Sequence, residues 1–155
     1  MHNLFKHITK LIKIILLSVF SVIFVSSSNA QLNVEDIIKS RQALLSKNYS
    51  TAKRVQSFSA KGDFERAKKL MIEMSENYKV LLDLFPDNTQ GGFNTEALPI
   101  IWEEKDSFNA LMKKASDDML KLTSLIEETD DTRGTIKQLM WSNCKACHSK
   151  YRIPH

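Results

Sequence analysis

An all-α fold, built as an antiparallel bundle of four helices, is predicted by three features of this 155-residue sequence. Apolar side chains recur at steps of three and four residues through four long stretches, the spacing that lines one face of a helix. Only four glycines and three prolines punctuate the chain, too few for collagen-like repeats, for disorder or for a sandwich of short strands joined by turns. Nowhere do apolar and polar residues alternate as they do along a half-buried strand, and no segment repeats another.

Composition narrows the class further. With 43% hydrophobic and 26% charged residues, a chain of this length reads as one soluble globular domain, and two cysteines are too few for a disulfide-dense scaffold. The formal charge of +4 hints at a nucleic-acid or membrane partner. The hint dissolves on inspection: residues 1–30 hold Lys6, Lys10 and Lys13 and no acid, so the rest of the chain sets 19 of the 22 basic side chains against all 18 acidic ones. No nucleic acid is implied.

Those first 30 residues read as a secretory signal peptide. A basic start is followed by an uncharged run from Ile14 to Val25 and by small side chains at Ser28 and Ala30, which together predict cleavage after Ala30 and export to the periplasm. A membrane anchor is the competing reading, but it needs about 20 mostly apolar residues, whereas this run has 12 and is bounded by Lys13. The mature chain is then Gln31–His155, one folded unit with no membrane contact after cleavage.

The first helix is expected to begin at Asn33, whose side-chain oxygen can cap free backbone N–H groups, with Glu35 and Asp36 where the helix dipole favours negative charge. Val34, Ile37, Ile38, Arg41, Leu44, Leu45, Ala52 and Val55 form its inward stripe to about Phe58, and Lys61-Gly62 ends it. A second helix starts at a capping Asp63, buries Phe64, Ala67, Leu70, Met71, Met74, Tyr78, Leu81 and Leu82, and stops before Pro86. At that spacing Met71 and Met74 are core packing rather than metal ligands. Residues 84–98 form the one long loop, marked by Pro86, Asp87-Asn88 and Gly91-Gly92. Pro99 suits the first turn of the third helix, where its missing N–H does no harm. That helix buries Ile101, Trp102, Phe108, Leu111, Met112, Ala115, Met119, Leu122 and Ile126, then runs into the acidic segment 127–131, a solvated connection. Thr132 is expected to cap the fourth helix, which carries Ile136, Leu139, Met140, Cys144, Cys147 and His148 to about Arg152. Four amphipathic helices with short links pack as an antiparallel bundle.

One motif carries chemistry. Cys144-Lys145-Ala146-Cys147-His148 is C-x-x-C-H, the attachment signature of c-type haem. Residues at i, i+3 and i+4 share a helix face, so both sulfurs and the imidazole reach one ligand. Each thiol adds to a haem vinyl group as a thioether, His148 coordinates the iron, and Tyr151 extends the same face. A thioredoxin-like dithiol would sit where a helix begins after a strand, whereas this motif lies inside the last helix. Zinc takes four tetrahedral ligands, and the mature chain adds only His155. Against a chance match, the motif contains every cysteine of the chain, and the leader delivers it to the side of the membrane where c-type haem is attached. A flat, largely apolar macrocycle needs a pocket between helices, which a bundle core provides.

On these residues the chain resembles the cytochrome c′ family. The resemblance covers nearly all of the mature chain. It rests on the haem motif followed by Tyr151-Arg152 close to the C-terminus, on Ile38-Lys39-Ser40-Arg41-Gln42, and on Thr95-Glu96-Ala97-Leu98-Pro99-Ile100-Ile101-Trp102 with Phe108. It implies a four-helix bundle, often a homodimer through the first two helices. It also implies one high-spin, usually five-coordinate haem that binds NO or CO and exchanges single electrons with a redox partner protein. By residue match it implies that Arg41 and Gln42 lie beside the haem propionates, that Thr95 and Glu96 line the haem edge, and that Arg152 sits near His148. For Arg41 a physical reason stands beside the resemblance, since a cation on an otherwise apolar stripe needs an anionic partner. A snorkelling side chain is the alternative there, and a plain helix cap is the alternative for Thr95.

The same resemblance puts the distal residue four after the arginine, at Leu45, or at Leu44 if the helix phase shifts by one. Leucine has no lone pair for iron, and the first helix contains neither methionine nor histidine, so His148 is expected to be the iron's sole protein ligand. An apolar distal side admits a small neutral diatomic. Peroxidase-type catalysis would need a distal base and a polarising donor, so the chain is read as a non-enzyme. A one-electron carrier and a dedicated NO- or CO-sequestering protein both stay open. So do a low-spin electron-transfer relative of the same bundle and a structural bundle with a vestigial motif.

Overall fold

The computed structural model describes residues 33–154; the leader with its cleavage after Ala30, and His155, lie outside the described residues. The chain falls into two compact units, Met1–Asp36 and Ile37–His155. Of the first, residues 33–36 are described and are helical. The architecture below is that of the second.

Helix α1 spans residues 33–60. Residue 33 is already helical, so Asn33 is not the cap expected of it. The inward stripe follows the sequence pattern: Ile38, Arg41, Ala52 and Val55 are buried, and Leu44 and Leu45 are half-buried. The helix ends at Lys61-Gly62, where Gly62 takes φ +73°, a left-handed conformation open to glycine without a Cβ clash. The amides of Lys61 and Asp63 both donate to Phe58 O at 3.0 Å, satisfying a terminal carbonyl. Helix α2, Phe64–Leu81, is capped by Asp63, whose carboxylate accepts the Arg66 N–H at 3.4 Å. A 3₁₀ turn, Leu82–Leu84, finishes it before Pro86. The loop that follows contains a second such turn, Asp87–Thr89, with Thr89 fully buried.

The third helix is divided, which the periodicity did not predict. Helix α3, Ile100–Glu103, and helix α4, Lys105–Leu125, meet at Glu104, whose φ of −116° and ψ of 42° are not helical. At that break the Glu104 carboxylate accepts from the Lys150 ammonium and from the Tyr151 hydroxyl, the latter at 3.2 Å. The departure from helical geometry accompanies an anchor to the last helix, 46 residues away.

The fourth helix also begins differently from expectation. Asp131 caps it, accepting the Gly134 N–H at 2.8 Å, and Thr132 is its first helical residue; a carboxylate is the stronger cap of the two. A Cβ on Gly134 would collide with that carboxylate. Helix α5, Thr132–Ile136, passes through a π-helical turn, Lys137–Trp141, into helix α6, Ser142–Tyr151. Arg152 is already extended.

Apolar side chains from all of these helices fill one core, and a few polar pairs fix the helices against each other. Asn77 Nδ2 donates to Asn48 Oδ1 between α2 and α1, and the Ser75 and Ser116 hydroxyls bond between α2 and α4, both at 2.8 Å. Asn143 Nδ2 donates to Asp118 Oδ2 at 2.8 Å between α6 and α4. Among the described residues there is no strand. One antiparallel bridge pairs Ala97 with Arg152, with Leu98 N–H donating to Tyr151 O at 3.0 Å and Ile153 N–H to Glu96 O at 2.9 Å. No helix of the described residues is long and apolar enough to cross a membrane.

The Glu104 anchor is testable by pH. Lys150, and after it Tyr151, hold the Glu104 carboxyl below its usual value of 4.5. A depressed folded-state value means that the contribution to stability is full above the ordinary value and fades as pH falls through the lowered one. Glu104→Gln is therefore expected to be less stable than the parent at neutral pH and to match it in acid, measured by denaturant unfolding across pH. An equal gap at both extremes would assign the contact to packing alone.

Candidate functional site

A cavity of about 850 Å³ collects the side chains that the sequence singles out. Helix α6 turns Cys144, Cys147 and His148 onto its wall, α1 contributes Arg41, Gln42 and Leu45, the loop contributes Thr95 and Glu96, and Arg152 follows α6. Leu44 and Leu45 both pack against the core, and of the two it is Leu45 that lines the cavity. Phe85, Ile101, Phe108, Leu111, Met112 and Ala115 supply apolar wall. The Phe108 ring meets Phe85 at 4.7 Å and Tyr151 at 5.3 Å between centroids, both edge-on.

Both cysteines are free and half-buried. Burial pushes the Cys144 thiol up and, with Cys144 beside it, pushes Cys147 up to about 11, so both stay neutral near pH 7. Cys144 Sγ lies 3.7 Å from Met140 O, to which it donates.

Arg41 does not snorkel. It is 1% exposed, with its guanidinium carbon 4.7 Å from the Phe85 ring centroid and 5.7 Å from that of Trp102. Nη1 donates to Thr89 Oγ1 at 2.9 Å and to Leu84 O at 3.3 Å; Nη2 donates to Thr89 O at 2.8 Å and to Thr95 Oγ1 at 2.7 Å. Every one of these partners is neutral, and burial draws the guanidinium down to about 10. A buried cation among neutral partners is what an anion in the cavity would compensate. Gln42 Nε2 donates to Asn94 O at 3.0 Å and Phe93 O at 3.4 Å, steadying two residues with φ of 56° and 51°. Thr95 is not a helix cap, because the next helix starts at Ile100. Glu96 and Arg152 form an ion pair at 3.8 Å.

Sequence reasoning missed part of the wall. Asn48 and Tyr78 line the cavity and are buried; burial, and next the neighbouring Cys144, raise the Tyr78 hydroxyl. The available signal was polarity on an apolar stripe: Asn48 falls one turn beyond Leu45, and Tyr78 carries a hydroxyl among leucines and methionines. Trp141 also lines the cavity, edge-on to Tyr49 at 6.2 Å, with Nε1 donating to Gln56 Oε1 at 3.1 Å.

These residues fit a covalently held haem. Two free thiols and an imidazole share one wall, the lining is largely apolar, and a buried cation with neutral partners waits at the loop side. The volume falls inside the range of roughly 300–1,000 Å³ usual for cofactor pockets.

Comparison with known proteins agrees. The family model of cytochrome c′ matches residues 36–152. A cytochrome c′ of Rhodopseudomonas palustris is 29% identical over 120 residues, spanning 76% of this chain and 82% of the relative. A cytochrome c-556 of Agrobacterium tumefaciens is 30% identical over 91 residues, spanning 59% and 73%. The solved structure of the Rhodopseudomonas palustris cytochrome c′ superposes with a TM-score of 0.66 at 28% identity, covering 77% of this chain and 97% of that one.

Proposed function

Because the chain belongs to the cytochrome c′ family of haem proteins, we propose that it works, exported and cleaved after Ala30, as a periplasmic one-electron carrier whose five-coordinate haem also binds NO and CO. The observation that carries this reading is the presence of His148 and Leu45 in one cavity, on helices α6 and α1. When bound, the haem would supply one-electron redox chemistry and an iron able to take a small diatomic ligand. Cys144 and Cys147 would hold the group by thioethers and His148 by coordination, and Leu45 would give the cavity an apolar wall that holds no water by hydrogen bonds. Arg41, fixed by the loop, offers its charge to a carboxylate. Among the described residues the carboxylate of the cavity wall is Glu96, in an ion pair with Arg152. O–O cleavage would call for a distal base and a polarising donor, and the apolar Leu45 on the wall supports a carrier rather than an enzyme.

A second reading rests on Met112. This buried residue of α4 lines the cavity, and a thioether is a competent iron ligand, which would give a low-spin, six-coordinate relative. The expected result is a high-spin spectrum that changes on adding CO to the reduced protein and is the same in Met112→Leu. A low-spin spectrum that turns high-spin in that variant would replace the first reading by the second. Stopped-flow mixing with NO, set beside reduction by a partner cytochrome, separates electron carriage from sequestration. A homodimer through α1 and α2 belongs to the same proposal, supported by the exposed Tyr49, Ile72 and Val80, and light scattering tests it.

A further inference from the structure

We propose that the side-chain amide of Asn48 is a hydrogen-bond donor to a diatomic ligand held in the cavity, and so helps to set how firmly this chain keeps such a ligand. The inference rests on the haem reading above and goes beyond it by placing one polar group next to the apolar Leu45.

The case starts from a donor without an acceptor. Asn48 is 3% exposed and lines the cavity. Its Oδ1 accepts from Asn77 Nδ2 of α2 at 2.8 Å, which fixes the amide with its oxygen toward α2. Nδ2 is buried and, among the described residues, meets no acceptor at hydrogen-bond distance. The Tyr78 hydroxyl, also of the cavity wall, interacts with Asn48 without reaching that geometry. A buried N–H left unmet is destabilising, and one on a cavity wall can be met by what the cavity holds.

The other fully buried amide and the buried cation of the wall are engaged. Asn143 Nδ2 donates to Asp118 Oδ2 and to Leu139 O, both at 2.8 Å. Arg41 gives the hydrogens of Nη1 and Nη2 to Leu84, Thr89 and Thr95. Ser46 and Lys145, also on the wall, are exposed to solvent.

Asn48 stands three residues beyond Leu45 on α1, one turn along the same face, and both line the cavity that His148 lines from α6. The amide favours a ligand whose outer atom can accept a hydrogen bond. Water is such a ligand, but buried water takes two to four polar partners, and the neighbouring wall of Leu45, Leu111, Met112 and Ala115 offers no side-chain donor or acceptor of that strength. A diatomic with a polarised outer atom needs one. A carboxamide donates without taking up a proton, so Asn48 adds no base and leaves the carrier reading in place.

The test uses reduced holoprotein under CO: wild type, Asn48→Leu, Asn48→Asp and Asn77→Leu. Denaturing mass spectrometry first confirms the added haem mass. The infrared C–O stretch and the CO dissociation rate are then measured. A donor to the outer oxygen weakens the C–O bond, so Asn48→Leu is expected to move the stretch to higher frequency and to quicken CO release about fivefold. Asn48→Asp keeps the acceptor that Asn77 requires but has no N–H, and is expected to move the stretch the same way. Asn77→Leu breaks the pair between α1 and α2 and leaves the donor in place, so it is expected to lower the melting temperature without moving the stretch. An unmoved stretch in both Asn48 variants, or an equal movement in Asn77→Leu, overturns the assignment and leaves the haem reading intact. Wild-type protein without haem mass, or with haem that takes up no CO, overturns both.

Discussion

Replacing Cys144 and Cys147 together by serine is expected to give an exported polypeptide of unmodified mass that no longer unfolds cooperatively. The magnitude follows from the cavity. The cavity opens to solvent, so without the cofactor its half-buried wall residues Leu45, Leu111 and Trp141 stay against water. Fully burying an apolar side chain contributes about 1.5–3 kcal/mol, so their combined loss is comparable with the roughly 5–15 kcal/mol that stabilises a whole domain. The bundle therefore treats its cofactor as core, and α1, α4 and α6, which share the cavity wall, lose their common packing surface without it. Single serine variants keep one thioether and should retain both the added mass and a sharp melt at lower temperature. Intact mass under denaturing conditions and a far-UV circular dichroism melt check both statements. A haem-free double variant that melts sharply within a few degrees of wild type would show that the helices close over the space unaided.

How far the sequence could be read depended on whether each cause was local. Helix stripes are local: in α2 Ala67, Leu70, Met71, Met74, Tyr78 and Leu81 are buried as expected. In α1, by contrast, Ile38, Arg41, Ala52 and Val55 are buried, Val34, Ile37, Leu44 and Leu45 are half-buried, and the buried Asn48, Thr51 and Ser59 lie outside the expected stripe. The motif is local too, because Cys144, Cys147 and His148 are placed on one wall by the helical repeat itself. The break at Glu104 was not legible, since the groups that hold its carboxylate, on Lys150 and Tyr151, lie at the other end of the chain. The capping shift from Thr132 to Asp131 is a one-residue choice between two good caps. The π turn at Lys137–Trp141 leaves no mark in composition. Arg41 was legible as an oddity, a cation on an apolar stripe, but its cage of Leu84, Thr89 and Thr95 depends on how the loop folds. Tyr78 is expected among the buried residues of the second helix, but that it and Asn48 face the cavity depends on how α1 and α2 pack, which no local pattern gives.

Arg41→Leu carries the second large effect, and its two consequences can be separated. The substitution leaves the carbonyls of Leu84 and Thr89 and the Thr95 hydroxyl oxygen without their donor. Buried groups stripped of a partner cost about 1–3 kcal/mol each, partly offset because a buried charge no longer has to be kept from water. A net loss of about 2–4 kcal/mol is expected, a fall in Tm on the order of 10 °C for a chain of this size. Hydrogen exchange should quicken first in residues 84–98, before the paired helices α2 and α4. Arg41→Lys keeps the charge but not the planar fork, and one ammonium cannot span both Thr89 and Thr95, so its stability should fall between the two. The midpoint potential reports on the charge alone. A buried cation beside the cofactor favours its less positive, reduced form, so Arg41→Leu is expected to lower the potential while Arg41→Lys largely preserves it. Were stability to drop with no movement in potential, Arg41 would be a loop anchor whose charge the cofactor does not feel. An unchanged melt with a lowered potential would mean that Gln42 and the Ala97–Arg152 bridge hold the loop without it.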